Sequence, residues 1–190
     1  AYEVSTERVS SGIEQLDHML GGGYYRGSSV LVSGAPGTAK STLCGTFVEA
    51  ACQRGERVLY ISFDESASEI TRNLASVGIK LAPHVESGFL QIYAARTEAR
   101  SADQHLMRLK ALIDEHEPRC IALDPLSAML KAGGTVAAMS LAQRLLGLTK
   151  ARGITILLTS LLAGDSPEME ATPLAISTIA DAWIHLSYVV

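Results

Sequence analysis

Apolar runs too short to be helices recur along this chain, each separated from the next by a stretch of helical pattern. They are Ser28 to Ser33, Arg57 to Phe63, Phe89 to Ala94, Cys120 to Asp124, Ile154 to Thr159 and Ala182 to Val190. Short segments that are apolar at consecutive rather than alternate positions belong to strands buried on both faces. The stretches between them carry helix punctuation: Lys40 to Arg54 before Gly55, Ser66 to Val77 before Gly78, Ala102 to Glu117 before Pro118, and Val136 to Arg152 before Gly153. Val9 to Gly23 holds a further short helical pattern, ended by three glycines. The alternation predicts an α/β fold with a mostly parallel central sheet and helices on both faces. In such sheets ligands bind at the carboxyl ends of the strands.

With 190 residues, 47% hydrophobic and 19% charged, the chain can bury one full core. It shows no repeat or linker-like stretch, so residues 1–190 are expected to form a single domain. The net charge of −4 argues against a surface built to wrap a nucleic-acid backbone. Cys44, Cys52 and Cys120 are scattered without a C-x-x-C pair and read as small buried apolar groups. The five histidines lack ligand spacing, and Trp183 is expected to pack in the sheet. No apolar run reaches membrane-spanning length and no leader pattern opens the chain, which suggests a soluble, cytoplasmic protein. The chain starts at Ala1-Tyr2 and closes inside a strand-like run, as a C-terminally truncated piece of a longer protein would.

The strongest local signal is Gly34-Ala35-Pro36-Gly37-Thr38-Ala39-Lys40-Ser41, followed by Thr42, between a predicted strand and a predicted helix. A polyphosphate needs several backbone N–H donors aimed at one spot, hence a short loop with few side chains running into a helix N-terminus. Lys40 is placed to reach the terminal phosphates and the Ser41 hydroxyl to ligate Mg²⁺. Ala39 stands where the usual pattern has its second glycine, a change of one methyl group that should leave a working loop. Asp64-Glu65 closes the second strand, expected to neighbour the loop, and offers a carboxylate to orient and deprotonate an attacking water or hydroxyl. Asp124 ends the apolar run Cys120-Ile121-Ala122-Leu123, the pattern of a carboxylate that holds Mg²⁺ through water. Thr159 and Ser160 end the fifth strand and are candidate sensors of the terminal phosphate.

Taken together, these residues resemble the KaiC family of the RecA superfamily. The resemblance runs from Arg8-Val9-Ser10-Ser11-Gly12-Ile13, Leu16-Asp17 and Gly21-Gly22-Gly23 through Phe63-Asp64-Glu65-Ser66 and Leu123-Asp124-Pro125-Leu126-Ser127-Ala128. It ends in Ile176-Ser177-Thr178-Ile179-Ala180-Asp181, similar to the Ile-Ser-Thr-Ile-Thr-Asp run of the second of KaiC's two tandem domains, whose Ser and Thr are autophosphorylated. The resemblance implies a RecA-like core that binds ATP and Mg²⁺, with Glu65 as general base beside Asp64, where the family has a second Glu. It also implies Ser177 and Thr178 as phosphoacceptors, Thr172 as a further acceptor, and a hexameric ring with ATP between subunits and signalling proteins as partners. The basic residues that reach a neighbour's phosphates lie in later strands of the family, which this chain lacks.

Two other readings share the loop and the carboxylates. A DNA-dependent ATPase of the RecA/RadA type needs basic or aromatic loops, and the predicted loop 129–135 carries one lysine and no aromatic. A nucleotide-responsive scaffold would need no catalytic carboxylate, and Glu65 counts against it.

Overall fold

The computed structural model describes residues 4–161 and 175–189. A two-residue strand β1 (Arg8–Val9) leads through helix α1 (Glu14–Met19) to β2 (Tyr24–Tyr25), which pairs with β1 antiparallel. The main body follows as β3 (Ser29–Gly34), α2 (Lys40–Gln53), β4 (Val58–Ser62), α3 (Ala67–Ala75), α4 (Ala82–Glu86) and β5 (Leu90–Ala94). It continues as α5 (Ala102–His116), β6 (Cys120–Asp124), α6 (Ala128–Ala151), β7 (Thr155–Leu161) and β8 (Ala182–Leu186). The sheet has six strands in the order β5-β4-β6-β7-β3-β8, every pair parallel.

The two faces of the sheet carry separate cores. Alternate residues of each strand point to opposite faces, so Val30, Val32, Val58, Tyr60, Ala122 and Leu157 pack under α2 with Phe47, Val48 and Leu74. Leu31, Leu59, Ile61, Ile121, Leu123 and Leu158 pack under α5 and α6 with Leu109, Ile113, Leu141 and Leu145. Cys44, Cys52 and Cys120 are all buried and unpaired. Ser66 and Ser101 cap α3 and α5, each in a reciprocal capping box with Glu69 or Gln104. At the amino end of the sheet, the Arg26 guanidinium holds Glu56 at 2.8 Å and Glu7 at 3.2 Å.

Three sequence expectations need correction. Residues 129–135 are not a loop. They open α6, which continues past Gly134, where φ 72° and ψ −173° break the helical path. Residues 128–132 hold no turn residue that would stop a helix before Gly133, and Met129 among them is 1% exposed. Trp183 lies on the edge strand β8, is 45% exposed, and turns its indole N–H to Ser33 Oγ at 2.7 Å instead of disappearing into the sheet. Finally, β4 does not neighbour the loop-bearing strand β3; β7 and β6 stand between them.

Candidate nucleotide site

The glycine loop leaves β3 at Gly34 and enters α2 at Lys40. Its small residues answer to contacts: a Cβ on Gly34 would lie 2.5 Å from Thr38 Oγ1 and 2.7 Å from the Leu186 carbonyl oxygen. Gly37 has φ +81°, and a Cβ there would lie 2.6 Å from the Tyr188 hydroxyl. Tyr188 donates to the Pro36 carbonyl at 3.2 Å, so the chain beyond β8 props the outside of the loop. Ala39 is the N-cap of α2 and adopts φ 67°, ψ 26°. The family glycine is thus replaced at a position whose backbone is left-handed, which an L-residue with a Cβ adopts at a cost. The issue is dihedral strain rather than the volume of a methyl group.

Lys40 is 7% exposed and its Nζ donates to Gly34 O at 2.8 Å and Ala35 O at 2.7 Å. Burial pushes its pKa down, and the nearby charge of Asp124 opposes that shift. The ammonium therefore sits at the centre of the loop, held by carbonyls that a phosphate oxygen can replace. The first-turn N–H groups of the 14-residue helix α2 point the same way, with the positive end of its dipole.

The separation of β4 from β3 is bridged by α2, which crosses the sheet over β7 and β6 and packs against β4 as well. Lys40, Ser41 and Thr42 consequently face Asp64, Glu65 and Asp124 across one cavity of about 490 Å³. A larger groove of about 840 Å³ between α3, α4 and β5 contains no residue of the loop, and we assign the site to the smaller cavity because the charged groups converge there. Asp64 is exposed and Glu65 half-buried. The Ser62 hydroxyl accepts from the Glu65 backbone N–H at 3.0 Å, and Asn73 of α3 donates to Glu65 Oε1 at 2.6 Å.

Asp124 is 7% exposed and receives two hydroxyl donors, Tyr60 at 3.1 Å to Oδ2 and Thr159 at 2.5 Å to Oδ1. Thr159, expected as a phosphate sensor, is fully buried and spends its hydroxyl on this carboxylate. Ser160 points to the opposite face of the sheet and is also fully buried. Among the described residues no cluster of three His, Cys, Asp or Glu forms a ready metal cage. The donors on hand, the Ser41 hydroxyl and the Asp124 carboxylate, are oxygen only. That set suits a hard cation such as Mg²⁺, which protein sites hold through one or two carboxylates together with substrate phosphates.

Ser177 and Thr178 lie elsewhere. Ser177 lies in the helical residues 175–177 and Thr178 in the turn that follows; Ile176 beside them is buried in the α5/α6 core, and the Thr178 hydroxyl donates to the Ala175 carbonyl at 2.6 Å. Asp181 ends the turn by accepting from the Ser29 backbone N–H at 2.9 Å and pairing with Lys150 at 2.7 Å. The turn is therefore anchored at the amino end of β3, and the phosphate loop leaves the carboxyl end. Thr172 falls outside the described residues. Tyr60, Asn73 and Tyr188 were not anticipated from sequence, because none of the three belongs to a motif and each acts through a partner outside its own segment.

A parallel sheet in which an extra strand separates the phosphate-loop strand from the strand bearing Asp124, with a glycine loop running into α2, defines a RecA-like P-loop domain. Sequence comparison agrees: the family described as "ATPase: KaiC" matches residues 9–190, and the chain belongs to the KaiC ATPase family. It is 39% identical to the circadian clock protein KaiC2 of Synechocystis sp., over 97% of this chain and 33% of that protein. Circadian clock oscillator proteins KaiC of Picosynechococcus sp. and Parathermosynechococcus lividus are 35% and 36% identical, again over 97% of this chain and over 36% and 34% of their own length. The chain thus spans about a third of the length of the curated relatives it matches. No helix among the described residues is long and apolar enough to cross a membrane.

Proposed function

We propose that this chain binds ATP with Mg²⁺ at the loop 34–42 and is the ATP-using unit of a KaiC-like phosphoryl-transfer enzyme. The observation that carries the reading is the convergence of Lys40, Ser41, Glu65 and Asp124 on one cavity of about 490 Å³, a volume typical of small-molecule sites. Lys40 and the first-turn N–H groups of α2 take the phosphates. Ser41 and Asp124 hold Mg²⁺, which when bound neutralises charge on the transferring group. Glu65, oriented by Asn73, accepts the proton of the attacking hydroxyl or water, with the exposed Asp64 beside it.

The finer reading is a Ser/Thr autokinase resembling the second KaiC domain, with Ser177 and Thr178 as acceptors and ATP held between subunits of a hexameric ring. In this reading the chain is one domain of a longer, cytoplasmic protein that has signalling partners. Its support is the position of the acceptor turn, tied to Ser29 at the start of β3, while the loop starts at Gly34. Five residue-to-residue steps of strand separate them, about 17 Å, whereas phosphoryl transfer needs reacting atoms about 3–3.5 Å apart. An acceptor so placed would have to be served by a neighbour's ATP.

Calorimetric titration of MgATP into the protein tests the binding. Lys40→Ala is expected to weaken it at least about 100-fold, and Glu65→Gln to leave binding intact while stopping hydrolysis. The absence of heat with wild type ends the proposal. Incubating the full-length parent protein with γ-labelled ATP, followed by peptide mapping, tests the kinase; label outside Ser177 and Thr178, or none, refutes that part.

A further inference from the structure

Tyr60 sits in the middle of β4, 1% exposed, on the face covered by α2. Its surroundings there are apolar: Val58 on its own strand, Leu157 two strands away, and Ala122 directly opposite in the pairing with β6. A buried phenol in such a setting needs an acceptor for its hydroxyl. The small side chain of Ala122 leaves room for the ring, and the hydroxyl extends along the sheet to Asp124, two residues further on. It meets Oδ2 at 3.1 Å, while Thr159 from the strand on the other side of β6 meets Oδ1 at 2.5 Å.

The carboxylate is therefore gripped from both neighbouring strands, one hydroxyl donor per oxygen. An ionised carboxylate accepts about four hydrogen bonds in all, so each oxygen keeps an acceptor position for the cavity. Two donors in fixed positions also determine the torsion of the carboxylate plane, which a lone Asp at a strand end would leave free to turn. Groups of this kind behind a metal ligand set its orientation and affinity.

We propose that Tyr60 is a positioning residue for the Asp124 carboxylate, holding it with Thr159 in the orientation that binds the Mg²⁺ of MgATP. The inference rests on the nucleotide site proposed above. It concerns the metal more than the nucleotide, because Tyr60 itself is walled off from the cavity by Asp124.

The test is equilibrium binding of a fluorescent ATP analogue to wild type and Tyr60→Phe, with and without Mg²⁺, across a Mg²⁺ titration. The substitution removes the hydroxyl and keeps the ring, so the packing under α2 is retained. The Mg²⁺ concentration at half-saturation is expected to rise about tenfold, with affinity for the metal-free analogue unchanged within about twofold. Thr159→Val, which removes the donor on the other oxygen, is expected to shift the titration in the same direction and supplies the answer if Tyr60→Phe fails to fold. A Mg²⁺ requirement equal to wild type in a folded variant overturns the proposal. So does equal weakening with and without metal, the mark of a purely structural tyrosine. If wild type itself binds no MgATP, the fault lies with the nucleotide site and not with Tyr60.

Discussion

Replacing Ala39 by glycine should make this protein more stable, although it deletes a methyl group and introduces the residue most costly to order. Ala39 has φ 67° and ψ 26°, a conformation that costs an L-residue about 1–2 kcal/mol through the clash of Cβ with the following carbonyl. Glycine escapes that cost but adds about 0.4–1 kcal/mol of chain entropy to the unfolded state. Position 39 is also the N-cap of α2, where glycine outperforms alanine. The balance favours Ala39→Gly by about 1 kcal/mol, and for a domain of this size that corresponds to a rise in Tm of about 2–4 °C. Thermal and urea unfolding without nucleotide read it directly. If ATP leaves the loop's left-handed turn in place, the same strain is present in the free and bound states, and the affinity for MgATP should stay within about twofold of wild type. A variant that melts at or below the wild-type temperature would refute the reasoning, since the strain assigned to Ala39 would not exist.

Other expectations follow from ion pairs and from the acceptor turn. Glu56→Ala leaves the Arg26 side chain, 8% exposed, without its nearest partner, and a loss of about 3 kcal/mol is expected in urea unfolding. Burial pushes the Glu56 carboxyl up, but hydrogen bonds from Arg26 and Arg54 outweigh it and hold the group at about 2, below its ordinary 4.5. A depressed carboxyl stabilises the fold fully above the unfolded value, so its contribution is lost as pH falls from about 4.5 through 2. Melting temperatures across that window should fall less steeply in Glu56→Gln than in wild type. Mixing protein carrying Lys40→Ala with the Ser177→Ala/Thr178→Ala double variant in the presence of γ-labelled ATP should place label on the Lys40→Ala chains if transfer runs between subunits; unlabelled mixtures would exclude it.

Local chemistry made most of the fold legible. The run Cys120 to Asp124 is a strand with those same ends, and Lys40 opens α2 as the loop pattern requires. Consecutive apolar positions and glycine stops are properties of neighbours in sequence, and they survive folding. What escaped was long-range or conformational. Nothing in residues 58–65 says that β6 and β7 separate β4 from β3, so the closeness of Glu65 to the loop had to come from the path of α2. The φ of Ala39 is set by the turn and not by its own side chain, which made a strained residue look like a mild substitution. Tyr60 read as one more apolar strand position, because its acceptor lies 64 residues away in sequence.

The glycine loop is braced by contacts on both sides, and these bear on how it would bind a ligand. On the inside, Lys40 satisfies the carbonyls of Gly34 and Ala35, and on the outside Tyr188 engages the carbonyl of Pro36. Leu186 closes against Gly34 so tightly that no side chain fits between them. Contacts of this kind lower the ordering cost that a floppy glycine loop would impose on binding. The remaining cost is an exchange at one atom, since the Lys40 ammonium must give up carbonyl partners for phosphate oxygens. Because those new partners are charged and the old ones are neutral, the exchange favours the anion. Affinity should accordingly depend on Lys40 far more than on the backbone strain at Ala39, an ordering that the variants at positions 39 and 40 measure directly.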